Sequence, residues 1–409
     1  MNKDYIFNTL AGLINAAEAV IMSMIITRTT GLTDAGYITI AFAVGNLLIT
    51  IGKYGIYGFQ VTDNKQEFTF STYKQTRFKT TGLMLLSLSA YLIYGKYILA
   101  YTYDKILIVL FIGLIYSIES IEDLLHAHCQ YKGELYLGSL FFIIRWLSIM
   151  ISFGIAVYCT KNTALALGIS LGMSVLVFFV CCYIFKYRYI KTNNLSDKNN
   201  SESGKPICLL MKCFPLFLSS FLSFYIINSP KYALERYMDA ATQACYGFVA
   251  MPVFAIGLLN GFIYVPQLVS LSSDYNAHNI VQFNKRIIRQ YIIIALLTII
   301  CLFGAYLIGI PVLSILYHTD LHNYRNELLI LILGGGFLAL SGYQGAILTI
   351  MRRQKFQLYG YIPVAILAIL FENVTVKKYG TIGAAVSYLA LITLLGILYE
   401  IFIRTKPKT

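Results

Sequence analysis

Arg145 stands near the middle of an unbroken apolar run, followed at i+3 and i+7 by Ser148 and Ser152, so the three share one helical face. A guanidinium stays charged and presents a planar fork matched to phosphate, which makes a cavity-facing Arg an anion ligand. Arg145 could equally close an ion pair with a carboxylate of a neighbouring helix, and the residues leave both readings open. A second polar stripe runs through Asn46, Thr50, Lys53 and Tyr57 at i, i+4, i+7 and i+11. We place Lys53 several residues inside the outer end of its span. A charge at bilayer depth costs about 3 kcal/mol, so Lys53 faces a partner or a wet cavity unless it snorkels to the surface. Lys212, Pro215, Ser219 and Ser223 form a third stripe, with Lys212 about one turn from a cytoplasmic edge, where snorkelling serves as well.

Acidic groups add a different chemistry. Glu18 shares a stripe with Ala11, Asn15 and Met22, and a carboxylate held in a low-dielectric cavity can load and release a proton. Glu18 either does this or pairs with a cation such as Lys53. Tyr116, Glu119, Asp123 and His126 align on another face, and with Glu18 they make Glu119 and Asp123 candidates for coupling transport to an ion. Glu, Asp and His at this spacing could hold a divalent metal, as could His318, Asp320 and His322, but an acidic helix end at a cavity mouth explains the first set as well. We therefore assign no metal, no cofactor and no catalytic residue. No phosphate-cradling loop, nucleophile elbow or HExxH motif occurs, so nothing supports an enzyme.

The elements that position these groups are set by composition. A chain 58% hydrophobic and 12% charged, with mean hydropathy +0.68, lacks the polar surface of a water-soluble protein. A helical span needs about 20 apolar residues. Such runs lie near 5–27, 36–59, 80–101, 106–128, 136–159, 163–185, 207–229, 240–264, 291–313, 327–350, 356–374 and 380–403. The expected fold is all-α and polytopic, with about twelve transmembrane helices in two six-helix lobes, 1–185 and 207–409. Between them, 186–206 is rich in Asn, Ser and Lys and reads as a mobile cytoplasmic linker. Long unbroken apolar runs in place of short alternating strands argue against a β-barrel. The first run lacks a cleavage site and reads as a retained span. Pro215, Pro252 and Pro363 are expected to kink their helices.

Of 32 Lys and Arg, 20 fall on the side of the termini and 9 on the other, which predicts cytoplasmic termini. Lys377 and Lys378 go against that map, leaving the last two spans its weakest part. The net charge of +13 lies mostly in short loops beside apolar runs, where it meets anionic lipid, so nucleic acid is not an expected partner. Eight cysteines show no C-x-x-C spacing and imply neither disulfides nor zinc. The halves also echo each other: Ala35-x-Tyr37-x-x-x-Ala41 recurs as Ala244-x-Tyr246-x-x-x-Ala250, each preceded by a basic and an acidic residue. Six spans per half would make these parallel repeats.

Twelve spans in two halves, the opening NTLAGLINAAEAVIMSMIITRTTGLTDAGYITIAFAVGNLL and the second-half opening PLFLSSFLSFYIINSPKYALERYMDAATQACYGFVAMPVFAIG resemble the polysaccharide flippases of the multidrug/oligosaccharidyl-lipid/polysaccharide (MOP) exporter superfamily. Arg28-x-x-Gly31 followed by Gly36-Tyr37 and Ala41 is most similar to the Wzx-type O-antigen flippases, whereas Lys231 replaces an Arg that relatives often carry after the Pro. The resemblance implies a flippase of the bacterial inner membrane. It would turn undecaprenyl-diphosphate-linked O-antigen or polysaccharide repeat units toward the periplasm, by alternating access coupled to an ion gradient. It also implies substrate binding by Arg28, Lys53, Arg145 and Lys212. Implied partners are the lipid-linked oligosaccharide, membrane lipids, and polysaccharide polymerase and chain-length machinery. Two alternatives stay in view. A drug or cation exporter of the same superfamily would favour an acid-lined cavity, and an O-antigen polymerase would need a large outer loop that the chain lacks.

Overall fold

The computed structural model describes residues 3–63, 67–190 and 205–405, and among them it contains helices and no strand. The chain forms two compact units, Met1–Phe221 and Leu222–Thr409.

In the first unit the chain runs through α1 (Lys3–Thr29), α2 (Leu32–Lys53), α3 (Ile56–Thr62), α4 (Phe70–Tyr97), α5 (Tyr103–Tyr131), α6 (Leu135–Thr160) and α7 (Thr163–Phe185). The starts of α4, α5 and α7 are capped by Thr69, Thr102 and Asn162, whose side-chain oxygens accept from the backbone N–H three residues on. α2 is the best-buried apolar span of the unit, and α5 lies beside it with fifteen buried residues of its own. α7 instead turns Leu176, Phe179 and Tyr183 outward, as an apolar helix facing hydrocarbon does. The run expected at 36–59 is not one helix. Tyr54 and Gly55 take successive left-handed conformations (φ 48° and 68°), end α2 at Lys53 and start α3, so Tyr57 belongs to a separate short helix.

Lys53 is therefore the last residue of α2. Because α2 runs back toward the side where α1 begins, Lys53 lies at that end of the unit, beside Asn8, and not near the outer end expected for it from sequence. The expected linker also begins later than composition suggests. Lys186–Ile190 continues α7 as a π-helical turn, and Arg188 and the Tyr189 hydroxyl both bind Glu134 in the loop before α6. The rest of the expected linker, 191–204, lies outside the described residues.

α8 (Pro206–Tyr237) passes through Pro215 as one helix and crosses the boundary between the units at Phe221. The second unit continues with α9 (Ala240–Ala250), α10 (Val253–Tyr264), α11 (Leu268–Asn276), α12 (Ile280–Gly304), α13 (Ile310–Tyr317), α14 (Arg325–Ile350) and α15 (Lys355–Arg404). Pro252 separates α9 from α10, as a missing N–H and a ring clash require. Pro363 leaves α15 helical, and that helix breaks instead at Gly380 (φ 61°, ψ −136°). Ser387 Oγ lies 2.7 Å from Glu372 Oε2, fifteen residues earlier. A straight helix would hold them about 22 Å apart, so α15 folds double into two arms. The two expected spans at 356–374 and 380–403 are these arms, with Lys377 and Lys378 just before the bend.

Nine helices among the described residues are long and apolar enough to cross a membrane. α4 and α5 are too polar to count among them and α15 supplies two passes, which completes about twelve. The molecule is an all-α polytopic membrane protein.

Candidate functional site

α5 carries the acidic side of the site. Glu119, Glu122 and Asp123 fall at i, i+3 and i+4, so their carboxylates emerge from neighbouring points of one turn. Three other helices answer with one cation each. Lys53 Nζ, from the end of α2, lies 2.9 Å from Glu119 Oε1. Arg145 of α6 donates Nε to Glu122 Oε2 at 2.6 Å and Nη2 to Glu119 Oε2 at 3.3 Å. Arg77 of α4 donates Nη2 to Asp123 Oδ2 at 2.6 Å and Nη1 to the Gly52 carbonyl at 2.9 Å. That carbonyl belongs to the last turn of α2, where no helical partner exists, and Thr80 Oγ1 shares it at 2.8 Å. Arg77 thus ties the end of α2, and with it Lys53, to α5. The Trp146 indole N–H completes the shell of Glu119 at 2.9 Å.

Glu18, on α1, stands apart from this pairing. Its Oε1 accepts from the Tyr116 hydroxyl at 2.6 Å, while Oε2 is buried and has no partner among the described residues. Counted as ions, four carboxylates face three cations, and each cation already holds one of the other three.

Above the network lies a cavity of about 370 Å³, lined by Asn8 and Asn15 of α1, Lys53, Tyr57, Asp123 and His126, with Glu119 and Glu122 at its floor. This is the size range of small-molecule sites. Lys53 is the cation that reaches it: its side chain is 35% exposed, whereas Arg77 and Arg145 are fully buried. The cavity wall therefore combines an ammonium, three carboxylates and several amide and hydroxyl groups. It can hold a polar, charged headgroup that hydrocarbon would reject.

The structure brings together five of the seven residues expected from the sequence, Lys53, Arg145, Glu18, Glu119 and Asp123. Arg145 is held beneath the cavity in ion pairs with Glu122 and Glu119. Arg28 is exposed in the last turn of α1, away from the Asn8–Asn15 segment that lines the cavity. Lys212 pairs with Glu67 at 2.5 Å near the start of α8, with both side chains more than 40% exposed. Among the described residues no three His, Cys, Asp or Glu converge on a metal-sized site. Asp123 is occupied by Arg77, and His126 packs edge-on against Tyr57.

Arg77 and Glu122 did not stand out from sequence. Arg77 falls before the hydropathy-defined start of its span, yet the stripe Tyr73, Arg77, Thr80, Met84 and Leu88 extends the helix upstream and marks it as buried. Glu372 was also missed. It is buried between the arms of α15 and accepts from Ser229 Oγ at 3.2 Å and Ser387 Oγ at 2.7 Å. A carboxylate within the apolar run 356–374 was the available signal. The echoed motifs occupy matching places: Ala35 and Ala244 are both buried in the first turns of α2 and α9, after Asp34 and the N-cap Asp239.

The fold is similar to that of solved transporters and flippases. Among solved structures, the lipid II flippase MurJ in an inward closed conformation superposes with a TM-score of 0.73 at 14% identity, covering 98% of this chain and 88% of that one. An inward-facing multidrug resistance MATE family transporter of the MOP superfamily gives 0.67 at 11% identity, over 96% and 94%. A MOP superfamily transporter from Pyrococcus furiosus, described as having a binding pocket of reversed polarity, gives 0.56 at 11%, over 98% and 92%. No protein-family model and no curated protein sequence matches the chain.

Proposed function

We propose that this protein is a flippase for polyprenyl-diphosphate-linked oligosaccharide, an O-antigen or polysaccharide repeat unit, working by alternating access in the bacterial inner membrane with its termini in the cytoplasm. The observation that carries the reading is Lys53 on the wall of a polar cavity among α1, α2, α3, α5 and α6. One donor-rich ammonium faces the space while Arg145 and Arg77 hold the surrounding carboxylates in place. In this reading Lys53 meets the diphosphate, the Asn8, Asn15 and Tyr57 groups meet sugar hydroxyls, and the polyprenyl tail stays in lipid. The fold shared with a lipid II flippase supports it. Arg145 acts by positioning Glu119 and Glu122.

Ion coupling falls to Glu18. Glu119 and Asp123 are neutralised by Lys53 and Arg77, so a proton on either would have to displace a cation. Among the described residues Glu18 has an unpartnered oxygen and no cation of its own, and a proton there balances the network. The groups facing it are Tyr116 and Glu119 from α5, Arg145 from α6 and Lys53 from α2.

The test is transfer of a polyprenyl-diphosphate-linked glycan between leaflets of proteoliposomes. Lys53→Ala is expected to abolish transfer in protein that folds normally, and transfer at the wild-type rate would overturn the reading. One observation favours a second function, export of organic cations: three of the cavity's charged groups, Glu119, Glu122 and Asp123, are acidic. Gradient-driven efflux of such a cation, with no glycan transfer, would establish that alternative.

A further inference from the structure

We propose that Lys231 and Tyr388, in the second unit, form a binding site for a phosphoryl oxygen. The proposal rests on the flippase reading for its source of phosphate but on separate residues for its geometry. Lys231 lies six residues before the end of α8, about 9 Å along the axis, so a snorkelling side chain would extend toward that end. It does the opposite. Its Nζ donates to Asn228 Oδ1 at 3.2 Å, three residues back toward the middle of the helix. No carboxylate pairs with it among the described residues. Glu372, on the same unit, is already engaged by Ser229 and Ser387.

Lys231 lines a small cavity of about 20 Å³, with Tyr246, Phe254, Leu331 and Tyr388 around it. The Tyr388 hydroxyl is buried and has no hydrogen-bond partner among the described residues. Two groups able to donate, an ammonium with spare N–H bonds and a phenol, thus line one space without an anion to receive them. Unmade donors shut away from water are costly, so the space suits a ligand that only accepts. Its volume admits a single oxygen-sized group. A phosphoryl oxygen meets both conditions, and it could belong to a lipid-linked diphosphate, a glycerophospholipid or a free phosphate.

The experiment measures binding of a radiolabelled polyprenyl diphosphate to the full chain in phosphatidylcholine nanodiscs, with the uncharged polyprenol as reference. Lys231→Met is expected to weaken binding about tenfold, Tyr388→Phe about threefold, and Lys231→Arg to stay within about threefold of wild type. Competition assigns the source. Displacement by inorganic diphosphate points to a free phosphate, displacement by added phosphatidylglycerol to a phospholipid, and resistance to both to the lipid-linked diphosphate; each supports the site. Wild-type affinity in Lys231→Met together with loss in Lys53→Met overturns this site and leaves the flippase reading intact. Equal binding of diphosphate and polyprenol by the wild type overturns both. Where Lys231→Met cannot be recovered folded, Tyr388→Phe decides: wild-type affinity in that variant overturns the proposal.

Discussion

Arg145 and Lys53 are both cations in apolar helices, and the structure separates what they do by exposure. Removing Arg145 leaves Glu122 and Glu119 buried without their guanidinium, and breaking a buried pair from one side costs about 3–5 kcal/mol. Arg145→Ala is therefore expected to lower the thermal midpoint and folded yield in detergent sharply. Lys53→Ala, a third exposed, should cost about 1 kcal/mol or less and keep the yield while transfer fails. Equal loss of stability in the two variants would contradict this division. Glu18→Gln keeps an acceptor for the Tyr116 hydroxyl and removes the titrating group, so we expect a folded protein whose transfer no longer accelerates under an imposed proton gradient. The sequence marked Arg145 as out of place but could not name its partners. Glu119 and Glu122 lie on a different helix more than twenty residues away, and only tertiary packing brings them to it.

At the scale of elements, the long apolar runs were legible because length and hydropathy are local properties. The interruptions were less so. The break after Lys53 hides in an apolar stretch, and its cause is a pair of left-handed residues with no polar flag. Gly55 sits at φ 68°, and a Cβ there would meet the Leu216 Cβ at 2.8 Å. Gly55→Ala is accordingly expected to destabilise the first unit by about 1–2 kcal/mol and to weaken transfer by shifting Lys53, readable as a lower thermal midpoint together with a lower rate. Gly380 is the stricter case, since φ 61° with ψ −136° is a conformation that side chains reject. Gly380→Ala should cost about 2 kcal/mol or more and leave Ser387 unable to reach Glu372, seen as loss of a cross-link between cysteines placed at 372 and 387. Arg77 shows the converse failure. Hydropathy began its span at residue 80 and so assigned a buried residue to a loop, because a helix that spends polar side chains on its neighbours looks too polar to be inside.

For the molecule as a whole, one fold serves exporters and flippases alike, at identities of 11–14%, so architecture sets what can move between the leaflets and side chains set what does. On the flippase reading, transfer should follow the headgroup. A polyprenyl monophosphate glycan is expected to move several-fold more slowly than the diphosphate in the same liposomes, and equal rates would show that Lys53 does not count phosphates. The doubled α15 carries a consequence for how the chain is made. Glu372 emerges from the ribosome fifteen residues before Ser387, the hydroxyl that will donate to it most closely, and Lys377 and Lys378 follow it at the bend. Until Ser387 is made, the Ser229 hydroxyl of α8 is the donor left to that carboxylate. The closest contact of the two arms, Ser387 on Glu372, therefore forms only at the very end of synthesis, after every other helix of the unit has been made.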